Sequence, residues 1–231
     1  MTITFITGAN RGIGRETARL LVNQGHLVLL GARDERAGRA AADAVGARFV
    51  QIDVADDDSV AAAAADVESN EGLIDVLINN AGITEPSVDP TALSGADVLT
   101  VLDVNLVGSV RTVTAFLPLL QRSADPVIIN VSSGMGSLEI THDPSRIEST
   151  AVIPVYAASK AALTMITTQY AKALPGVRVN AVDPGHTATN LTRHTGPQSV
   201  TEGSEPIVKL ATEGPGHGSG RFVERHRETT W

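Results

Sequence analysis

Short apolar runs alternate with longer amphipathic, alanine-rich stretches along almost the whole chain, and this alternation limits the fold more than any single residue does. The apolar runs are 3–6, 27–30, 49–52, 76–78, 127–131 and 177–182. Helical spacing fills the intervals at 12–23, 34–45, 57–69, 95–122 and 155–174. A strand that is apolar at every position is covered on both faces, as in a parallel sheet. Strand–helix–strand repetition then calls for right-handed crossovers with helices on both sides. The pattern predicts an α/β fold, a doubly wound three-layer αβα sandwich around a parallel sheet of six strands. A seventh strand at 221–223 follows a turn containing Gly214, Gly216, Gly218 and Gly220. With 231 residues and no break in composition, a single domain over 1–231 is expected. Ligands of such a sheet bind beyond the carboxyl ends of the strands.

Composition narrows the partners. A net charge of −8 and a pI near 5.2, with arginines scattered among acids, argue against nucleic acid, which wants a basic face. The absence of cysteine removes disulfides and thiolate chemistry and fits a reducing compartment. His26, His142, His186, His194, His217 and His226 show no metal-ligand spacing, so no metal is expected. No apolar run reaches the length of a membrane span, and with the first strand expected at 2–6 no signal peptide is expected. The expectation is a cytoplasmic protein with neither a membrane nor a nucleic-acid partner.

The first run ends in Thr7-Gly8-Ala9-Asn10-Arg11-Gly12-Ile13-Gly14 and opens a helix at once. In that position Gly8 suits a tight turn, Gly12 lets backbone approach a pyrophosphate, and Gly14 lets helix and strand pack closely. The helix N-terminus offers free N–H groups to phosphate. The spacing is G-x-x-x-G-x-G, and a purely structural turn would also use glycine; its place between strand one and helix one favours a nucleotide. At the end of the second run, Arg33 precedes Asp34. Arg33, with Arg11 and Arg36, suits a ribose 2′-phosphate. Asp34 suits a 2′-hydroxyl or, alternatively, a helix N-cap. The balance favours NADP(H) over NAD(H).

Tyr156 and Lys160 stand four apart in Y-A-A-S-K, in a chain with two tyrosines and three lysines. On a helix they share a face. An ammonium beside a phenol favours the phenolate, so the Tyr156 pKa is expected to fall toward working pH, ready to exchange a proton with a substrate oxygen. Alone, the pair also fits an ordinary surface helix.

Together, Tyr156-x-x-x-Lys160, the Gly8–Gly12–Gly14 loop and Asn79-Asn80-Ala81-Gly82 resemble the short-chain dehydrogenase/reductase family, over nearly the whole chain. The run from Arg33 to Gly82 looks like the NADPH-dependent carbonyl reductases of that family. The resemblance implies a Rossmann-type fold, with a dinucleotide half over about 1–125 and catalytic elements over about 126–231. It implies that Gly8, Asn10, Arg11, Gly12, Ile13 and Gly14 hold the pyrophosphate, and that Asp53 and Val54 meet the adenine. Asn80, Ala81 and Gly82 would lie beside the ribose. Pro184, Gly185, Thr187 and Thr189, in Pro184-Gly185-x-x-x-Thr189, would meet the nicotinamide carboxamide. Asn105 would hold a relay water, Ser133 would bind the substrate oxygen, with Ser132 as the alternative one register away, and Lys160 would also bind the nicotinamide ribose.

The implied activity is reversible hydride transfer between NADP(H) and a small carbonyl compound or alcohol. A non-catalytic NADP(H) sensor on the same fold is the alternative. Two stretches depart from the family pattern. The segment between Ser133 and Tyr156 is long, which leaves monomer or homo-oligomer open. The segment 190–220 is short, which suggests a small substrate lid. Trp231 either packs near the pocket or anchors the tail.

Overall fold

In the computed structural model, which describes residues 1–86, 89–229 and 231, the apolar runs become strands β1 (Ile3–Ile6), β2 (Leu27–Ala32), β3 (Arg48–Gln51), β4 (Val76–Asn79), β5 (Val127–Val131), β6 (Arg178–Val182) and β7 (Phe222–Val223). All pair in parallel in one sheet of order β3-β2-β1-β4-β5-β6-β7. The helices are α1 (Gly12–Asn23), α2 (Glu35–Val45), α3 (Asp57–Asn70), α4 (Gly95–Leu102), α5 (Gly108–Leu120), α6 (Leu138–His142), α7 (Pro154–Ala173) and α8 (Val200–Thr212).

Side chains alternate across the sheet and build a core on each face. Ile6, Leu30, Ile78 and Ile129 meet α1, α2 and α8 on one side. Phe5, Leu29, Leu77 and Ile128 meet α3 and α5 on the other, where the Phe5 and Phe116 rings lie 4.5 Å apart. The direction of winding reverses between β1 and β4, and a crevice opens there at the carboxyl ends.

The structure adds detail at three places. The stretch 190–220 contains α8, whose Ile207 and Leu210 are fully buried, so this helix belongs to the core. The helix expected at 95–122 is interrupted by a π turn, Asp103–Val107. It nevertheless runs on from Gly95 to Leu120, 26 residues, and by length and composition alone would be apolar enough to cross a membrane. Its Phe116, Leu119 and Leu120 pack into the core, and Arg111 pairs with Asp57 and Asp103. Trp231 stacks on Phe222 of β7 at 5.6 Å, which places it against the sheet edge.

A polar ladder crosses the otherwise apolar sheet just below the crevice. Asn79 and Asn130 are opposite one another on β4 and β5, and Asn79 Nδ2 donates to Asn130 Oδ1 at 2.9 Å. Thr112 of α5 donates to Asn79 Oδ1, and Asn130 Nδ2 donates to Thr167 of α7. Each buried amide is thereby satisfied, and two helices are tied to the strand ends. Asn130→Val is expected to cost about 1–3 kcal/mol in urea unfolding, because it leaves the Asn79 donor buried without a partner.

Candidate active site

The chain leaves β1 at Thr7 and enters α1 through the glycine loop. Gly8 and Gly12 have φ of +62° and +56°, which glycine alone adopts without strain. Gly14 is required by proximity: a Cβ there would run into the Asn80 amide and stand 2.9 Å from Ala9 Cα. On Gly12 a Cβ would stand 3.6 Å from Thr189 Cγ2, so Thr189 packs beside the loop. Arg11 gives α1 no side-chain cap, and the first turn holds no acid. Its leading N–H groups keep their capacity for an anion. Asn10 and Ile13 are half-buried beside them.

The Asn79–Gly82 turn is stitched to this loop. Asn80 Nδ2 donates to Thr7 O and Gly8 O, while Asn80 N and Ala81 N donate to Thr7 Oγ1. The Asn80 side chain thus braces the loop itself.

At the end of β2, Asp34 accepts a hydrogen bond from Ala37 N at 2.7 Å and caps α2. Arg33 is exposed, with Nη1 3.7 Å from Asp53 Oδ2. Asp53 uses its other oxygen to accept from Ala55 N and so shapes its own turn. Val54 is buried under Gly108.

Around the carboxyl ends of β4 and β5, four residues converge. Helix α7 brings Tyr156 in its first turn and Lys160 one turn later. Lys160 is 4% exposed; its Nζ donates to Val131 O at 2.7 Å and lies 5.5 Å from the centre of the Tyr156 ring. Ser133 lies beside Tyr156, where it favours the phenolate. Ser132 turns the other way, 1% exposed and bonded to Thr164 Oγ1 and Lys160 O of α7. Ser132 therefore faces α7, and Ser133 is the serine on the Tyr156 side.

Asn105 sits in the π turn, fully buried. It accepts from Ile83 N and donates to Ile83 O and Ser159 Oγ, so both amide donors have protein partners. A Cβ on Gly82 would stand 3.4 Å from Asn105 Oδ1 and 3.6 Å from Lys160 Nζ, so Gly82 leaves the space between them open.

This chain matches the short chain dehydrogenase family over residues 2–199. It belongs to that family. It is 36% identical to a short-chain dehydrogenase of Penicillium roqueforti, covering 92% of this chain and 89% of the relative. It is 32% identical to (−)-isopiperitenone reductase of Mentha piperita, covering 96% of each. Among solved structures it resembles NADPH-bound carbonyl reductase from chicken fatty liver, with a TM-score of 0.87 and 26% identity over the full length of both. The protein is therefore a Rossmann-type short-chain dehydrogenase/reductase, an oxidoreductase of carbonyl and alcohol groups in a family that binds a nicotinamide cofactor.

The electrostatics of this dehydrogenase differ from the expectation for Tyr156. Burial pushes the phenol well above its ordinary value; the Ser133 side chain opposes this, and the negative charges of Asp183 and Glu85 add to it. Burial likewise lowers the Lys160 ammonium to about 8, against the pull of Asp183. Desolvation penalises the charged form of each partner and is the largest cause of both shifts.

The Pro184–Thr189 loop is held by its own threonines. Thr187 Oγ1 donates to Pro184 O and Gly185 O and packs on Gly203 of α8, leaving Thr189 as the one beside the glycine loop. Beside this loop lies a cleft of about 330 Å³, lined in part by Arg146, Glu148, His186, Gln198 and Glu224. Residues 145–148 come from the long segment before Tyr156, whose Arg146 pairs with Glu148, Glu224 and Asp183.

Two buried acids escaped the sequence reading. Asp183, 3% exposed, is raised to about 6 by burial, while the N–H groups of Gly185 and Gly134 pull it down. Glu85, in the loop after β4, contacts the start of α7. Neither stands in a recognisable motif. The available signal for Glu85 was indirect, since α7 opens at Ile153-Pro154 without a capping side chain of its own.

Proposed function

We propose that this protein is an NADP(H)-dependent oxidoreductase that interconverts a carbonyl compound and its alcohol, with Tyr156 exchanging the proton at the substrate oxygen. The observation that carries this reading is the meeting of Tyr156, Ser133 and Lys160 at the sheet's carboxyl end, on the same crevice as an uncapped helix N-terminus. The residues present fit a dinucleotide: glycines with positive φ turn the chain tightly into α1, whose N-terminus has no side-chain cap, and its free N–H groups suit a pyrophosphate. When bound, the nicotinamide supplies or accepts the hydride. Ser133 and Tyr156 hold the substrate oxygen between them, and Ser133 stabilises charge as it develops there. Lys160 and Asn105, on either side of the space left by Gly82, line the route by which the proton is replaced through water. The small-molecule substrate would be handled in the cytoplasm.

The preference for NADP(H) rests on the end of β2. There Asp34, the residue able to bind a 2′-hydroxyl, is committed to capping α2. Arg33 beside it is exposed and bound only loosely to Asp53. Arg33→Ala is expected to raise KM for NADPH roughly tenfold, the worth of one charge-assisted hydrogen bond, with KM for NADH nearly unchanged. Steady-state assays with both cofactors on a panel of aldehydes and ketones provide the test. An equal effect on the two cofactors would contradict the assignment. Tight NADPH binding without turnover on any carbonyl would favour a non-catalytic sensor.

A further inference from the structure

Helix α7 carries both Tyr156 and Lys160, yet its N-terminus makes no cap from its own sequence. The N-cap residue is Ile153, which offers no side-chain bond, and Pro154 follows at the first helical position. Proline has no N–H, so the first donors needing a partner are those of Val155 and Tyr156. One carboxylate takes both. Val155 N donates to Glu85 Oε1 at 3.2 Å, and Tyr156 N donates to Glu85 Oε2 at 3.0 Å. Thr84 Oγ1 adds a third bond, to Oε2, at 3.0 Å.

Glu85 is only 7% exposed. Burying a carboxylate is costly unless its oxygens are satisfied. Both are satisfied here at the positive end of the α7 dipole. The cap is also long-range: Glu85 lies three residues after Gly82, in the loop that follows β4, and its partners are 70 and 71 residues away in sequence. The β4 loop and the first turn of α7 are therefore pinned together at the residue whose side chain meets Ser133.

We propose that Glu85 is a positioning residue of the hydride-transfer site, its two-oxygen grip on the main chain of Val155 and Tyr156 fixing where the Tyr156 hydroxyl stands relative to Ser133. The inference rests on Tyr156 being the proton donor. Glu85 also acts through its charge. The groups facing Tyr156 are Ser133 after β5, Lys160 on α7, Asp183 after β6 and Glu85 after β4; the two acids disfavour the phenolate, and Ser133 favours it.

Glu85→Gln removes the charge and sets an NH2 group against one of the two N–H donors. In the full-length enzyme, kcat for carbonyl reduction is expected to fall about tenfold or more, in line with a small displacement of a reacting group. Kd for NADPH, read by fluorescence titration, stays near wild type. With the negative charge gone, the Tyr156 pKa drops, so the alkaline loss of reduction rate begins at lower pH than in wild type. Glu85→Asp keeps the charge with a shorter reach; it should lose less of kcat and keep the wild-type pH limb, and it carries the comparison if Glu85→Gln does not fold. Wild-type kcat and pH limb in Glu85→Gln, or in Glu85→Asp a limb displaced as far as charge removal would displace it, overturns the proposal. Tyr156→Phe runs in parallel: if that variant turns over, the proton-donor reading fails, whereas an inactive Tyr156→Phe beside an unaffected Glu85→Gln defeats the Glu85 inference alone.

Discussion

Tyr156→Phe is expected to lower kcat for carbonyl reduction by about 10²- to 10⁴-fold, the usual worth of a general acid, while leaving NADPH affinity nearly unchanged. The substitution removes one oxygen from a half-buried side chain and keeps the ring beneath Lys160 Nζ. Packing of α7 is thus preserved, and Lys160 keeps its bond to Val131 O. Only the proton is lost. Stopped-flow absorbance of NADPH oxidation, with fluorescence titration of cofactor binding, separates the two quantities. Activity within a few-fold of wild type would remove Tyr156 from the proton-transfer role.

The same residue sets a direction. Its pKa is raised by burial and by the charges of Asp183 and Glu85, so the phenol keeps its proton through neutral pH. A protonated phenol serves reduction, which needs an acid; oxidation of an alcohol needs the phenolate. Reduction should accordingly hold steady from neutral to moderately alkaline pH, and oxidation should rise with pH over the same range. Initial rates in both directions across pH 6–10 check the sign.

How far these features could be read from the sequence depended on whether a signal was local. The strands were legible because a parallel strand buried on both faces is a continuous apolar run, and 127–131 coincides with β5 residue for residue. Helix α8 was hidden although its start is marked: Ser199 and Glu202 form a capping box before Ile207, Val208 and Leu210. Gly203 and Pro206 break the helical spacing in between, and the first of these is there because Thr187 leaves no room for a side chain. Tyr156, Lys160 and Ser133 stand in short motifs and could be placed. The Tyr156 pKa could not, because it reflects desolvation and acids from the ends of β4 and β6. Glu85 was invisible for a related reason: its partners are main-chain N–H groups, which leave no trace in residue types.

Gly136→Ala is expected to damage this site almost as severely as loss of Tyr156, through space alone. The short 3₁₀ turn Gly134–Gly136 follows Ser133 and lies directly on α7. A Cβ on Gly136 would stand 2.7 Å from the carbonyl carbon of Lys160, 2.8 Å from its oxygen and 2.9 Å from Ala161 N. These are main-chain atoms of a helix that packs along the sheet, so no rotamer change relieves the contact and the turn must move. Because Ser133 leads directly into that turn, its hydroxyl moves away from Tyr156, and the bonds from Ser132 to Thr164 and Lys160 O are strained. Overpacking of this kind costs about 1–3 kcal/mol. A displacement near 1 Å at the reacting groups can cost about 10²-fold in kcat. Gly176→Ala, where a Cβ would meet nothing within 4 Å, is the matched control and should change stability by less than about 0.5 kcal/mol. Thermal unfolding and kcat measured on both variants decide the point: a Gly136→Ala enzyme as active and as stable as the Gly176→Ala control would mean that the close packing of this turn on α7 does not hold Ser133 in place.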